Sequence, residues 1–275
     1  MPTAGGASNH FAEYMDFAVD LAGEAATIAR AQYGASVARR KEDGSLVTRT
    51  DEQIDRLISQ RVGDRYPSDT VLSEEQATHF DPAVQRTWII DPIDGTTNFA
   101  RGLPTWGISI AIVENLRPVV AVLAFPMLDE FFSATLGGGA FRNGAPIHTA
   151  AGAALDDAHI FMECSRTRRQ STFALSIKSR MLGSAAYHIC KVADGSAIAG
   201  SEATPKVWDL AAAALILDEA GGVMRTVGGQ AVFPLASRTA DYKYLPYAVL
   251  YAADARALAE VRAAMRSVTV EEAQA

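Results

Sequence analysis

Residues 88–99 read WIIDPIDGTTNF. Trp88, Ile89 and Ile90 have the composition of a buried strand, and Pro92 cannot prolong a hydrogen-bonded ladder, so the strand is expected to stop there with Asp91 at the rim of a sheet. Asp94, three residues on, then faces the same point across the Pro92–Ile93 turn. Two carboxylates converging in a partly desolvated place repel each other, and either a shared proton or a cation must relieve the repulsion. Gly95 lets the backbone approach a ligand closely. Gly95-Thr96-Thr97 offers successive amide N–H groups and hydroxyls at an expected helix start, where an anion is well accommodated. Carboxylates beside an anion cradle favour the cation, and Mg²⁺ is the hard cation that combines one or two carboxylates with phosphate oxygens. The plainer alternative is a turn between two strands, since Asp-Pro and Asp-Gly are ordinary turn dipeptides.

Other acids bear on that choice. Glu74-Glu75 follow an expected strand at Thr70–Ser73 as Asp91 follows its own, which brings a further carboxylate to the same rim if the strands are neighbours. Asp209 opens a long helix expected from Trp208 to Ala220, where it can cap the N-terminus. Taken singly these are a solvated pair and an N-cap; taken together they complete the ligands of a two-metal site.

The surrounding pattern has two halves. Residues 10–33 carry apolar side chains at three- and four-residue steps, an amphipathic helix, and a second helix is expected from a capping box at Thr50-Asp51-Glu52-Gln53. The period then shortens to two, giving strands at 70–73, 87–91, 106–113, 118–125 and 131–135, a mostly antiparallel sheet covered by helices. Beyond about residue 152 strands and helices alternate: strands at 159–163, 223–227 and 247–252, and helices from Gly183, Trp208 and Asp254. The expected division is 1–151, an N-terminal α+β metal-binding half, and 152–275, an α/β half that contributes substrate recognition and Asp209. No Pro/Gly/Ser-rich linker separates them.

Composition narrows the function. The chain has 275 residues, 49% of them hydrophobic, and a formal net charge of −7. Its basic blocks are no longer than Arg39-Arg40-Lys41, so it lacks a field for gathering nucleic acid or an anionic membrane. No apolar run reaches the roughly 20 residues that span a bilayer, and the first residues lack a signal-peptide layout, so a cytoplasmic location is expected. Cys164 and Cys190, without metal-type spacing, are read as reduced structural thiols. His10, His79, His148, His159 and His188 are read as surface or satisfied core residues.

Ser73-Glu74-Glu75, the run from Trp88 to Phe99, Trp208-Asp209 and Glu219-Ala220-Gly221-Gly222 resemble, in the same order, the inositol monophosphatase family of Mg²⁺-dependent, lithium-sensitive phosphomonoesterases. The resemblance implies a layered α/β (α+β) fold, an αβαβα sandwich, in a homodimer. It implies Glu74, Asp91 and the carbonyl of Ile93 as ligands of a first Mg²⁺, Asp91, Asp94 and Asp209 as ligands of a second, and a third, looser ion leaning on Glu74. Gly95 and Thr96 would take the phosphate through backbone N–H groups, the Thr96 hydroxyl, oriented by Asp51, would help activate the attacking water, and Lys41 would approach the site from the loop before Ser45. The alternative for Lys41 is a solvated base beside Arg39 and Arg40.

For the substrate, the resemblance places Gly183, Ser184 and Ala185 against ring hydroxyls, Glu202 as their acceptor, and Arg180 near a dimer contact. The chain departs from the family where an aromatic pair often precedes the glutamate, reading Ala197-Ile198-Ala199-Gly200-Ser201 instead. Ser165-Arg166-Thr167-Arg168-Arg169 is read as a basic surface loop, or, if it reaches the pocket, as a reader of a second anionic group. Inositol 1-phosphate or a related small polyol phosphate is the expected substrate, with histidinol phosphate, fructose 1,6-bisphosphate and 3′-phosphoadenosine 5′-phosphate as alternatives on the same site. A non-catalytic dimeric partner protein is the alternative of a different class.

Overall fold

A computed structural model describes residues 11–42, 44–236 and 240–267. His10, and Asp43 in the loop after Lys41, lie outside the described residues. The described residues contain seven α-helices: α1 Ala12–Gln32, α2 Arg49–Arg65, α3 Thr96–Arg101, α4 Ser165–Gln170, α5 Ala185–Ala193, α6 Val207–Glu219 and α7 Ala255–Ala264. They sandwich two sheets. The larger has seven strands in the spatial order 145–146, 139–142, 130–135, 117–125, 107–114, 86–94, 70–73, antiparallel throughout except for the last pair. The smaller has five, in the order 178–180, 160–163, 199–202, 249–252, 223–226.

Helices α1 and α2 cover one face of the large sheet, α5 and α6 fill the space between the two sheets, and α7 covers the outer face of the small one. This is the αβαβα order. The strand Arg86–Asp94 explains why its apolar run is continuous rather than alternating: Trp88 and Ile90 pack under α1 and α2, whereas Ile89 packs toward α6, so both faces are buried. Fully burying each such side chain is worth about 1.5–3 kcal/mol. Helix α6 is apolar on nearly every side because it touches both sheets.

Several expectations need correction. The strand does not stop at Pro92: it runs to Asp94, with a bulge between Asp91, which pairs with Ser109, and Asp94, which pairs with Gly107. A bulge accommodates the missing proline donor and re-aims the flanking side chains. The second helix is capped by Thr48 rather than by Thr50. The Thr48 hydroxyl accepts from the Asp51 N–H, and Asp51 Oδ2 accepts from the Thr48 N–H at 3.0 Å, so Asp51 is the third helical residue. Asp209 likewise sits one turn inside α6, its Oδ2 accepting from the Lys206 N–H at 2.5 Å, and is not the N-cap. Residues 165–170 form a helix rather than a loop, capped by the Cys164 sulfur. The short strands at 139–142, 178–180 and 199–202 have no expected counterpart; three or four residues are too few to show a period.

Ile90 lies wholly inside the core between the large sheet and helices α1 and α2. Ile90→Ala is expected to cost about 2–5 kcal/mol of stability, read as a lowered urea midpoint at an unchanged slope; an unmoved midpoint contradicts this packing.

Candidate active site

The bulge at 92–93 delivers both acids of the opening stretch to one place. Asp91 Oδ1 accepts from the Ile93 N–H at 3.0 Å, which closes the turn. Asp94 is held from the opposite side by the start of α5. Ser184 Oγ and the Ala186 N–H (2.9 Å) donate to Oδ2, and the Ala185 N–H (3.3 Å) donates to Oδ1. Asp209 enters from α6, which Ser109 ties to the sheet through a 3.2 Å bond to the Trp208 carbonyl. One oxygen from each of Asp91, Asp94 and Asp209 lies within 4.8 Å of the others.

Burial drives the carboxyls of Asp91 and Asp209 well above the usual carboxylate range, and the neighbouring charges of Glu74 and Asp94 push both further the same way. Asp94 is raised too, chiefly by burial, but the Ser184 hydroxyl and the α5 amides oppose the shift. No lysine or arginine forms an ion pair with any of the three among the described residues. An all-oxygen donor set, buried and short of positive charge, fits a hard divalent cation.

Glu74 follows the strand 70–73, whose parallel pairing with 87–90 puts it on this rim, and its N–H donates to the Ile90 carbonyl at 3.3 Å. Unlike the aspartates it has a counter-charge: Lys41 Nζ lies 2.7 Å from Glu74 and 2.5 Å from Glu75. Those two carboxylates hold the Lys41 ammonium above its ordinary pKa despite burial. The solvated reading of Lys41 is thereby excluded.

Asp51 and Thr96 meet as well. Thr96 Oγ1 lies 3.2 Å from Asp51 Oδ1 and 3.1 Å from the Ile93 carbonyl. Burial lifts the Asp51 carboxyl to about 6, against the bonds from Thr48 that lower it. Gly95 has φ 91°, and a Cβ there would stand 3.1 Å from the carbonyls of both Gly183 and Thr105. This position brings the start of α3 against the start of α5.

Two cavities open on this centre. One of about 360 Å³ is lined by Glu74, Asp91, Gly95, Thr96 and Lys206; the other, about 670 Å³, by Gly183, Ser184, Ala185, Glu202 and Met181. They share Asp94, Thr97, Arg166, Thr204 and Asp209. Both cysteines are free thiols: Cys164, which caps α4, also meets the larger cavity, and Cys190 is fully buried. Arg166 reaches both cavities, its Nη1 3.3 Å from Thr204 Oγ1. Arg180 is exposed, its guanidinium donating to the Ser179 carbonyl at 2.8 Å.

Sequence reasoning did not single out Asn98 or His188. The Asn98 amide nitrogen reaches the Thr105 carbonyl (2.6 Å), Leu182 carbonyl (2.7 Å) and Thr105 hydroxyl (2.9 Å), pinning the wall of the large cavity. An asparagine directly after the Thr-Thr pair carries no spacing signal of that role.

The Inositol monophosphatase family model matches residues 11–268. The chain belongs to the inositol monophosphatase family. It is 31% identical over 243 residues to inositol monophosphatase 1 of Bos taurus, covering 82% of this chain and 87% of that one. Among solved structures it is similar to the IMPase of Thermotoga maritima, with TM-score 0.77, 27% identity and coverage of 95% and 99% of the two chains. It is also similar to the extragenic suppressor protein suhB of Bartonella henselae, with TM-score 0.79, 26% identity and coverage of 92% and 98%. The protein is thus a phosphatase that hydrolyses phosphomonoesters, from a metal-dependent family. No helix among the described residues is long and apolar enough to cross a membrane.

Gly183 has φ 84°, and a Cβ on it would fall 2.6 Å from Asn98 Nδ2. Gly183→Ala is expected to destabilise the fold by about 1–3 kcal/mol and to lower kcat/KM by displacing Ser184 from Asp94. Thermal melting and steady-state kinetics on one preparation check both, and an unaltered kcat/KM contradicts the coupling of this turn to the acidic centre.

Proposed function

We propose that this family member is a Mg²⁺-dependent phosphomonoesterase acting on inositol 1-phosphate or a related small polyol phosphate. The observation that carries the reading is the convergence of Asp91, Asp94 and Asp209 at the junction of two cavities, with buried Glu202 lining the larger one. Glu74, Asp91 and the Ile93 carbonyl would hold one ion, Asp91, Asp94 and Asp209 a second, and a third would lean on Glu74. Bound there, Mg²⁺ supplies positive charge that activates water and stabilises the entering and leaving oxygens of an in-line displacement.

The chain's own residues do the rest. Backbone N–H groups of Gly95 and Thr96 receive the phosphate. The Thr96 hydroxyl donates to Asp51 and so turns a lone pair toward the attacking water; Asp51 is able to take that bond because two Thr48 donors already hold its other oxygen. Glu202 accepts hydroxyls of the alcohol, a bond that a substrate without them leaves unmade at a buried carboxylate. Lys41 keeps Glu74 and Glu75 from adding two uncompensated charges to the site.

Asp91→Asn tests the centre: hydrolysis is expected to vanish while the protein melts as a folded chain. Hydrolysis that survives sinks the ligand assignment. A panel of inositol 1-phosphate, fructose 1,6-bisphosphate, histidinol phosphate and 3′-phosphoadenosine 5′-phosphate tests the alcohol. Inositol 1-phosphate is expected to give the highest kcat/KM, and a preference for histidinol phosphate of about a hundredfold overturns the polyol assignment.

Metal addition has a predictable sign with pH. Asp91 and Asp209, with raised pKa values, favour the protonated form when folded, so their stabilising contribution is present at low pH and lost as pH rises. A cation removes that loss. Mg²⁺ added to EDTA-treated protein is therefore expected to raise Tm more at about pH 8 than at about pH 5; the opposite order speaks against ion binding at these carboxylates.

A further inference from the structure

His188 lies one turn after the N-cap of α5 and is wholly inaccessible to solvent, the one histidine so buried among the described residues. Its two ring nitrogens have different partners. Nε2 accepts the Leu182 N–H at 2.8 Å, so this nitrogen carries a lone pair and the neutral ring holds its proton on Nδ1. Nδ1 lies 2.6 Å from Glu202 Oε1 and donates to it, and the Tyr251 hydroxyl donates to the same oxygen at 3.2 Å. Burial, which pushes the imidazole down to about 4, keeps the ring neutral and this arrangement fixed.

A buried histidine with both nitrogens satisfied is ordinarily a core residue. Here both partners belong to the wall of the large cavity, with His188 packed behind them. The Leu182 peptide is gripped on its other side, its carbonyl accepting from Asn98 Nδ2 at 2.7 Å and Thr105 Oγ1 at 2.6 Å. Gly183 and Ser184 follow directly, and Ser184 holds Asp94. The imidazole is therefore a splint between the Leu182–Ser184 wall and Glu202.

We propose that His188 is a positioning residue for substrate selection: its Nδ1–H fixes the Glu202 carboxylate, and its Nε2 fixes the facing wall, so that the hydroxyls of the alcohol meet an oriented acceptor at a set distance from the acidic centre. This rests on the polyol phosphate reading of the site. Without the Nδ1 donor the 2.6 Å bond to Oε1 is lost and the longer 3.2 Å bond from Tyr251 remains on that oxygen, so the Glu202 carboxyl is less firmly oriented as an acceptor.

Two isosteric substitutions separate the bonds. His188→Asn keeps a donor where Nδ1 stands, and His188→Gln keeps an acceptor where Nε2 stands. The readout is the ratio of kcat/KM for inositol 1-phosphate to that for 4-nitrophenyl phosphate, whose alcohol has no further hydroxyls. His188→Gln is expected to lower this ratio by about ten- to a hundredfold, mainly through KM for the inositol ester, and His188→Asn to restore most of it. A wild type that prefers the inositol ester and a His188→Gln variant that keeps the preference overturn the role of His188 alone, as does a His188→Asn variant that loses it equally. A wild type without the preference overturns the substrate reading, and the proposal with it. If a variant does not fold, ¹⁵N spectra of the wild-type imidazole give the decision. A ring protonated on Nδ1, with a resonance that moves when inositol joins phosphate but not with phosphate alone, is the expected result. The Nε2-protonated tautomer, or indifference to inositol, overturns the proposal.

Discussion

Three carboxylates that must share one buried point constrain the rest of the molecule. Asp91, Asp94 and Asp209 reach it from a bulged strand and from the first turn of a helix, and their mutual repulsion opposes folding wherever they ionise. The fold answers first with dipoles. The amide end of α5 rests on Asp94, and Asp209 sits in the first turn of α6, so two positive helix ends face the cluster. Such contacts contribute about 0.3–1 kcal/mol each, up to about 2 in partly buried geometry. Desolvating a single ion costs several kcal/mol even after relaxation. Dipoles alone fall short, and the remaining deficit is what a bound cation can cover.

The other acids on the rim are treated differently. Glu74 and Glu75 lie under Lys41, which the Arg39–Arg40 and Leu46–Val47 ribbon carries across the site, so one of the two charges on this side is balanced within the chain. The aspartate side has no such partner among the described residues. The asymmetry concentrates the need for an external charge at the junction of the two cavities rather than spreading it along the rim.

Much of this was legible in the order of residues. An apolar run ending Trp88-Ile89-Ile90 and two acids three apart announce a buried strand and a cluster; Glu74, after the strand 70–73, was read onto the same rim only on the condition that the two strands are neighbours, which their parallel pairing makes them. The pattern was misread where two signals compete within a turn. Thr48 and Thr50 are both plausible caps, and only the bond between Asp51 and the Thr48 N–H selects the first. Pro92 reads as a terminator because a bulge that skips its missing donor leaves no trace in composition. His188 and Asn98 were out of reach for another reason: their roles depend on partners 84 or fewer residues away in sequence that only the folded chain brings near.

Helix α5 joins what sequence reasoning kept apart. Its N-cap Ser184 and first amides grip Asp94, and one turn later His188 grips Glu202 and Leu182. The acidic centre and the wall of the larger cavity are thus fastened to consecutive turns of one short helix, with α6, bearing Asp209, packed along it. Because packed elements shift as units rather than bend, a change that tilts α5 moves Asp94 and Glu202 together. Selection of the alcohol and placement of the phosphate are then mechanically linked, and a substitution on the buried side of α5 alters both at once, whereas one at Tyr251, which touches Glu202 from the sheet, acts on the cavity wall without disturbing Asp94.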